Sequence, residues 1–172
     1  MIRRFTIVND EKFLRQVSEP VDFLDPQLKS DLKNLKKFCI DNDAFGLAAV
    51  QIGIPKRMIY ICEDEIYINP KVVEQKGKTE FWELCLSCLT VDGKAYAALV
   101  ERPYKIRVEY QDVDGKHQNK TIEGFGATVF CHEYDHLNGI LHMDRSKKTI
   151  VIDFEERVQL REKEPYKVIL KD

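Results

Sequence analysis

The chain has 172 residues, with 27 basic against 29 acidic side chains and a net charge of −2 at neutral pH. That length suits one domain, residues 1–172, able to bury its own core without disulfides. A balanced charge gives no electrostatic case for nucleic acid or an anionic membrane surface as partner, and no run approaches the roughly 20 apolar residues of a membrane span.

In chain order, the basic start Met1-Ile2-Arg3-Arg4 is followed by no apolar stretch of secretory type, so export is not expected. From Pro26 to about Asn42, Leu28, Leu32, Leu35, Phe38 and Cys39 recur at three- and four-residue intervals and predict an amphipathic helix. Its Lys29, Lys33, Lys36 and Lys37 read as a solvated face. Arg57 to Cys62, Ile66 to Asn69 and Lys105 to Tyr110 are rich in β-branched and aromatic residues and predict strands. Asp114-Gly115 marks a hairpin turn returning through His117 to Ile122. A helix is expected from Phe125 or Gly126 to about Leu137, ended at Asn138-Gly139 by left-handed backbone at the glycine. Residues 149–172 read as a C-terminal extension. A short helix there starts at Asp153, whose spacing to Glu156 fits a capping box, and stops before Pro165; Lys167 to Leu170 then forms an edge strand. Five cysteines, Cys39, Cys62, Cys85, Cys88 and Cys131, are an odd number, which points to a reducing, cytoplasmic setting with free or metal-bound thiols.

The chemistry concentrates in His132-Glu133-Tyr134-Asp135-His136. On a helix the two imidazoles project one above the other and can grip a divalent metal, with Glu133 beside its open position. Two ligands are an incomplete site, and three residues compete to be the third. His142 completes a literal metzincin protease string with Gly139, although the only later methionine, Met143, adjoins it rather than lying beneath the site. Glu156, 24 positions after His132, has a thermolysin-like spacing, but its capping role accounts for it more simply. Cys85, 47 positions before His132, would contribute a thiolate. Cys85 and Cys88 form a lone C-x-x-C without the second pair that a zinc ribbon needs. Cys88 and Cys131 then read as packing residues, and Asp135 as an outer partner that orients a neighbouring group.

Around Cys85 the sequence resembles the peptide deformylases in three separated blocks. They are Ala44-Phe45-Gly46-Leu47-Ala48-Ala49-Val50-Gln51, then Glu83-Leu84-Cys85-Leu86-Ser87, then Cys131-His132-Glu133-Tyr134-Asp135-His136. Order and spacing agree over about residues 40–145. Ala44 and Leu84 stand where the family has glycine, and Cys131 where it commonly has glutamine. The resemblance implies an α+β fold, antiparallel β-sheets around a central metal-binding helix, with an N-terminal helix and a short C-terminal helix. It implies one divalent metal on Cys85, His132 and His136, with Fe2+ favoured and Zn2+, Ni2+ or Co2+ also suited to the donors.

The same resemblance makes Glu133 the base that takes a proton from the attacking water and returns it to the leaving amine. Gln51 and the Leu86 backbone N–H become the donors to the formyl oxygen. The substrate implied is an N-formylmethionyl peptide, with Gly46, Leu84 and Val129 as walls of its cleft and formate as product. That role brings transient contact near the ribosome exit, and it leaves His142 a bystander. Gln51 has the simpler alternative of satisfying backbone groups at a turn, and Glu83 is expected to ion-pair with Arg102. Leu84 adds a side chain where a substrate strand would approach, which is expected to narrow the cleft and alter its peptide range. A protease using His142, a deformylase-like protein of altered activity, and a non-catalytic metal-binding domain remain the alternatives.

Overall fold

The computed structural model of the chain describes residues 2–172. The first sheet takes its strands in the order β1 (Gly46–Ala48), β2 (Met58–Ile61), β3 (Glu65–Lys76), β6 (Lys105–Gln111) and β7 (His117–Glu123), every neighbour antiparallel. The continuous apolar run of β2 follows from burial on both faces. Met58 and Tyr60 pack with Leu28, Leu35 and Cys39 of helix α2 (Leu28–Asp41). Ile59 points the other way, with Tyr67, Ile106 and Val108, onto Ala127, Phe130 and Leu137 of helix α3 (Phe125–Leu137). Period-two alternation along β2 thus divides the apolar side chains between two helices.

The second sheet runs β8 (Ser146–Ile152), β5 (Ala95–Arg102), β4 (Lys78–Glu83) and β9 (Lys167–Leu170), also antiparallel. Helix α3 lies against β1, β2 and β7 of one sheet and β5 of the other, so it occupies the centre of the α+β fold. Trp82 of β4 packs with Ala95, Ala97 and Ile152, and Leu160 of the last helix, α4 (Arg157–Lys163), closes this cluster.

The α2, α3 and hairpin expectations coincide with observed elements. Three other stretches depart from them. The N-terminal helix expected at 26–42 is preceded by α1 (Ile7–Leu14), short and kinked at Asp10. The strand expected at Ile66–Asn69 continues to Lys76. Pro70 falls where the β3–β6 register slips, between Ile68 and Lys71, so its missing N–H removes no regular ladder bond. Strand β8 crosses residue 149, so residues 149–152 complete a sheet strand opposite β5, and the chain leaves that strand only after Ile152. Beyond it the backbone N–H of Asp153 donates to the Glu156 carboxylate at 2.9 Å, as the capping spacing predicts. Among the described residues no helix is long and apolar enough to cross a membrane.

Candidate metal centre and cleft

Helix α3 ends in a Schellman arrangement: Ile140 N–H donates to Asp135 O at 3.0 Å and Gly139 N–H to His136 O at 3.2 Å. Gly139 takes φ of +72°, and a Cβ there would lie 2.1 Å from the Arg15 carbonyl oxygen. This stop fixes the end of α3, whose last two turns carry the histidines. Their rings stand 5.1 Å apart, one turn from each other.

Cys85, just past the end of β4, meets them from the second sheet. One donor atom each from Cys85, His132 and His136 falls within 4.8 Å of the others, and Cys85 Sγ is 3.3 Å from His136 Nε2. On His132 the Nδ1–H donates to Glu83 Oε1 at 2.8 Å, which leaves Nε2 turned to the other two donors. A thiol and two imidazoles converging at this spacing fit a single divalent cation with a further position open. The neighbouring Cys88 thiol and burial push the Cys85 thiol up to about 11. A cation is therefore what would hold Cys85 as thiolate at neutral pH, with release of its proton.

The ligands rest on a buried ion network. Arg102 donates to both Glu83 oxygens at 2.8 and 2.9 Å and to Asp135 at 2.6 Å, while Arg145 clasps Asp135 at 2.6 and 2.9 Å. Glu83 is buried, a cost outweighed by Arg102 and His132, which together hold its carboxyl at about 2. The expected Glu83–Arg102 pair is therefore present, but Glu83 also orients His132, a contact that sequence separation conceals. Asp135, expected to orient a neighbouring group, holds Arg102 and Arg145 rather than an imidazole.

The cleft in front of this centre has a volume of about 540 Å³. Gly46, Gln51, Leu84, Cys85, Leu86, Val129, His132 and Glu133 all line it, so the residues proposed from sequence as catalytic or substrate-binding share one space; His136 sits buried behind them. Burial pushes the Glu133 carboxyl up to about 7, and its Oε2 has no partner among the described residues. A Cβ on Gly46 would lie 3.0 Å from Glu133 Cγ, so strand β1 can run this close to the carboxylate only without a side chain there. The Gln51 side-chain oxygen Oε1 accepts from Ala48 N–H at 2.9 Å, the turn-bracing role open to it from sequence. Its Nε2 donates to Ser87 Oγ at 3.1 Å and faces Cys85 Sγ at 3.6 Å. The Leu86 N–H donates to no protein group among the described residues.

Neither His142 nor Glu156 joins the three donors, although the His142 ring lies 5.6 Å from that of His132. His142 gives its Nε2–H to the Tyr96 carbonyl at 2.8 Å, and burial holds it neutral, down at about 4. Glu156 caps the turn before α4. Cys88 and Cys131 are buried core residues. Leu84 lines the cleft, and its half-buried side chain also packs on the Trp82 cluster, the same cluster that Phe154 and Leu160 of the C-terminal segment pack against. That segment reaches the same space through Phe154, Arg157 and Arg161, a contribution absent from the sequence expectations.

A family model described as polypeptide deformylase matches residues 2–150. A peptide deformylase of Mesorhizobium japonicum is 40% identical over 150 residues, 83% of this chain and 83% of that protein. One from Thermoanaerobacter pseudethanolicus is 35% identical over 164 residues, 94% and 98% of the two chains. Among solved structures, the peptide deformylase of Thermotoga maritima superposes with a TM-score of 0.76 at 32% identity, covering 86% of this chain and 99% of that one. The Plasmodium falciparum peptide deformylase, solved with an inhibitor, gives 0.74 at 31% identity, covering 94% and 96%.

Proposed function

The chain belongs to the polypeptide deformylase family, whose hydrolases remove the N-formyl group from nascent peptides, and from that premise we propose which residues carry the reaction. Cys85, His132 and His136 hold one divalent metal, the observation that carries the assignment being the convergence of their three donor atoms within 4.8 Å. When bound, the cation acidifies a water and polarises the formyl carbonyl. Glu133, with a buried carboxylate oxygen free of protein partners, takes the water's proton and passes it to the departing amine.

As the formyl carbon turns tetrahedral, negative charge grows on its oxygen. The Gln51 Nε2–H, facing Cys85, and the unpartnered Leu86 N–H are the donors positioned for that oxygen. Gln51 Oε1 is already tethered to Ala48 N–H, so the side-chain amide is oriented before substrate arrives. Gly46 lets the peptide backbone lie close to Glu133, and Val129 and Leu84 form apolar walls suited to a methionine side chain. The products are formate and a free amino terminus on an N-formylmethionyl peptide. Ferrous iron is the favoured metal within a mixed thiolate and imidazole set that also suits Zn2+, Ni2+ and Co2+. Residues 1–172 act as one domain in the cytoplasm, in transient contact with the ribosome as chains emerge.

The test is hydrolysis of a formyl-Met-Ala-Ser peptide by iron-loaded protein. Wild type is expected to turn over and Glu133→Ala to fall by at least about 100-fold. Equal, near-zero rates for both would reject the assignment of this cleft to deformylation.

A further inference from the structure

The family model ends at residue 150, yet the chain beyond it forms part of the cleft. After β8 the chain turns at Phe154 into α4, whose Arg157 and Arg161 stand four residues apart on one helical face and both line the cleft. Two like charges at that spacing repel, and neither guanidinium is ion-paired with a carboxylate among the described residues. Arg157 donates to the Phe154 carbonyl at 2.9 Å and stacks on the Phe154 ring at 4.1 Å. Arg161 donates from Nε to the Trp82 carbonyl at 3.2 Å and lies over the Phe81 ring at 4.6 Å. Each guanidinium is thus fixed by one hydrogen bond and one aromatic face, and most of its N–H groups remain uncommitted.

The anchoring is specific to this region. Trp82 Nε1 donates to Glu164 at 2.7 Å, β9 pairs with β4, and Leu84, Phe154 and Leu160 all pack on the Trp82 cluster. Leu84 immediately precedes Cys85, so the leucine that departs from the family's glycine shares one apolar cluster with the arginine-bearing helix and adjoins the Cys85 thiol. Across the rest of the chain, most surface arginines and lysines near a carboxylate are paired with it, as Arg15 is with Asp144 and Lys147 with Glu80 and Glu101. Arg157 and Arg161 are half-buried, unpaired and directed at the cleft, where a substrate would desolvate them further.

We propose that Arg157 and Arg161 form an anion-recognising end of the substrate cleft, selecting formyl peptides that carry a carboxylate one or two residues beyond the formylated one. This rests on the deformylase reading of the cleft and adds its substrate preference. A planar guanidinium pair presents parallel N–H donors matched to a carboxylate, whereas a lysine in the same peptide position meets two cations. The carboxylate has two sources: an acidic side chain on a growing chain, or the C-terminus of a short free peptide.

The experiment compares formyl-Met-Ala-Asp, formyl-Met-Ala-Asn and formyl-Met-Ala-Lys, all amidated, together with formyl-Met-Ala-Asn as the free acid, and the same set with the varied residue in second place. The iron-loaded protein is expected to show kcat/KM about tenfold higher for Asp than for Lys, a gap that shrinks with added salt. A matching gain for the free acid over its amide identifies the C-terminal source, and its absence the side-chain source. In the Arg157→Gln, Arg161→Gln double variant the Asp-to-Lys ratio is expected to fall to about two or less, and Arg161→Glu to invert it.

Isothermal titration calorimetry reports binding of the already deformylated Met-Ala-Asp and Met-Ala-Lys amides to the wild type and the double variant without any turnover. Should the Gln variant not fold, the Lys,Lys variant serves, with the expectation that it keeps the sign of the preference. Absence of charge discrimination in wild type, or its survival in the Gln variant, overturns the proposal. Failure to hydrolyse the neutral formyl-Met-Ala-Asn amide counts instead against the deformylase reading, while the ratio of calorimetric affinities for the Asp and Lys amides still decides the role of the arginines.

Discussion

Glu133 meets two opposing demands on one carboxylate. Burial pushes it up to about 7, so in the metal-free protein it holds a proton in much of the population at neutral pH. A cation on Cys85, His132 and His136 favours the ionised form that a base needs. Glu133→Gln should therefore lower kcat by about 10² to 10⁴ while leaving metal content unchanged by elemental analysis. The third ligand is tested by cobalt: with Co2+ bound, the wild type and His142→Ala should both show thiolate-to-cobalt absorption. Cys85→Ser should lose it, because the serine oxygen supplies no such transition. Affinity for the metal should drop as pH falls, since the cation displaces a proton from Cys85. At this scale the sequence was informative where a motif is local. His132, Glu133 and His136 lie within five residues, but the Glu83–His132 contact joins residues 49 apart and left no local mark.

The helices were legible because their burial is one-sided or bounded by clear stops. Leu28, Leu35 and Cys39 repeat at helical spacing in α2, and Asn138-Gly139 ends α3 as written. Gly139→Ala tests that stop. A methyl group would meet the Arg15 carbonyl at a backbone angle disfavoured for alanine, and a loss of about 2 kcal/mol or more is expected from urea unfolding midpoints. Strands β4 and β5 were harder to read. Ala95, Ala97 and Ala98 are small, poor strand formers, and β5 is buried between β4 and β8, so no alternation of polar and apolar residues announces it. Strand β1 spans three residues, too few for any period, and α1 is broken by the kink at Asp10.

The ion network through Glu83, Arg102 and Asp135 couples the second sheet to the central helix, and the whole molecule's response to acid follows from it. Glu83 is held at about 2 against an ordinary value of 4.5, so its contribution is complete above pH 4.5 and is lost as pH falls toward 2. That displacement corresponds to about 3 kcal/mol, and the acid-unfolding midpoint should move to higher pH in Glu83→Gln. Arg102→Met leaves the buried Glu83 without its cation, while Asp135 keeps Arg145, and should cost about 3–5 kcal/mol in urea unfolding, with weakened metal retention because Glu83, which orients His132, is no longer held in place. The sequence by itself determined helices α2 and α3, the short C-terminal helix, the hairpin, the His132-Glu133-Tyr134-Asp135-His136 motif and the family, since these depend on neighbouring residues or on short blocks in fixed order. Only the tertiary structure decided that Glu83 orients His132, that Asp135 holds two arginines, and that the Trp82 cluster gathers Leu84 and a C-terminal helix whose Arg157 and Arg161 reach the cleft. Those contacts arise where β4, α3 and α4 meet across long stretches of chain, and packing, rather than any local period, selects which side chains face one another there.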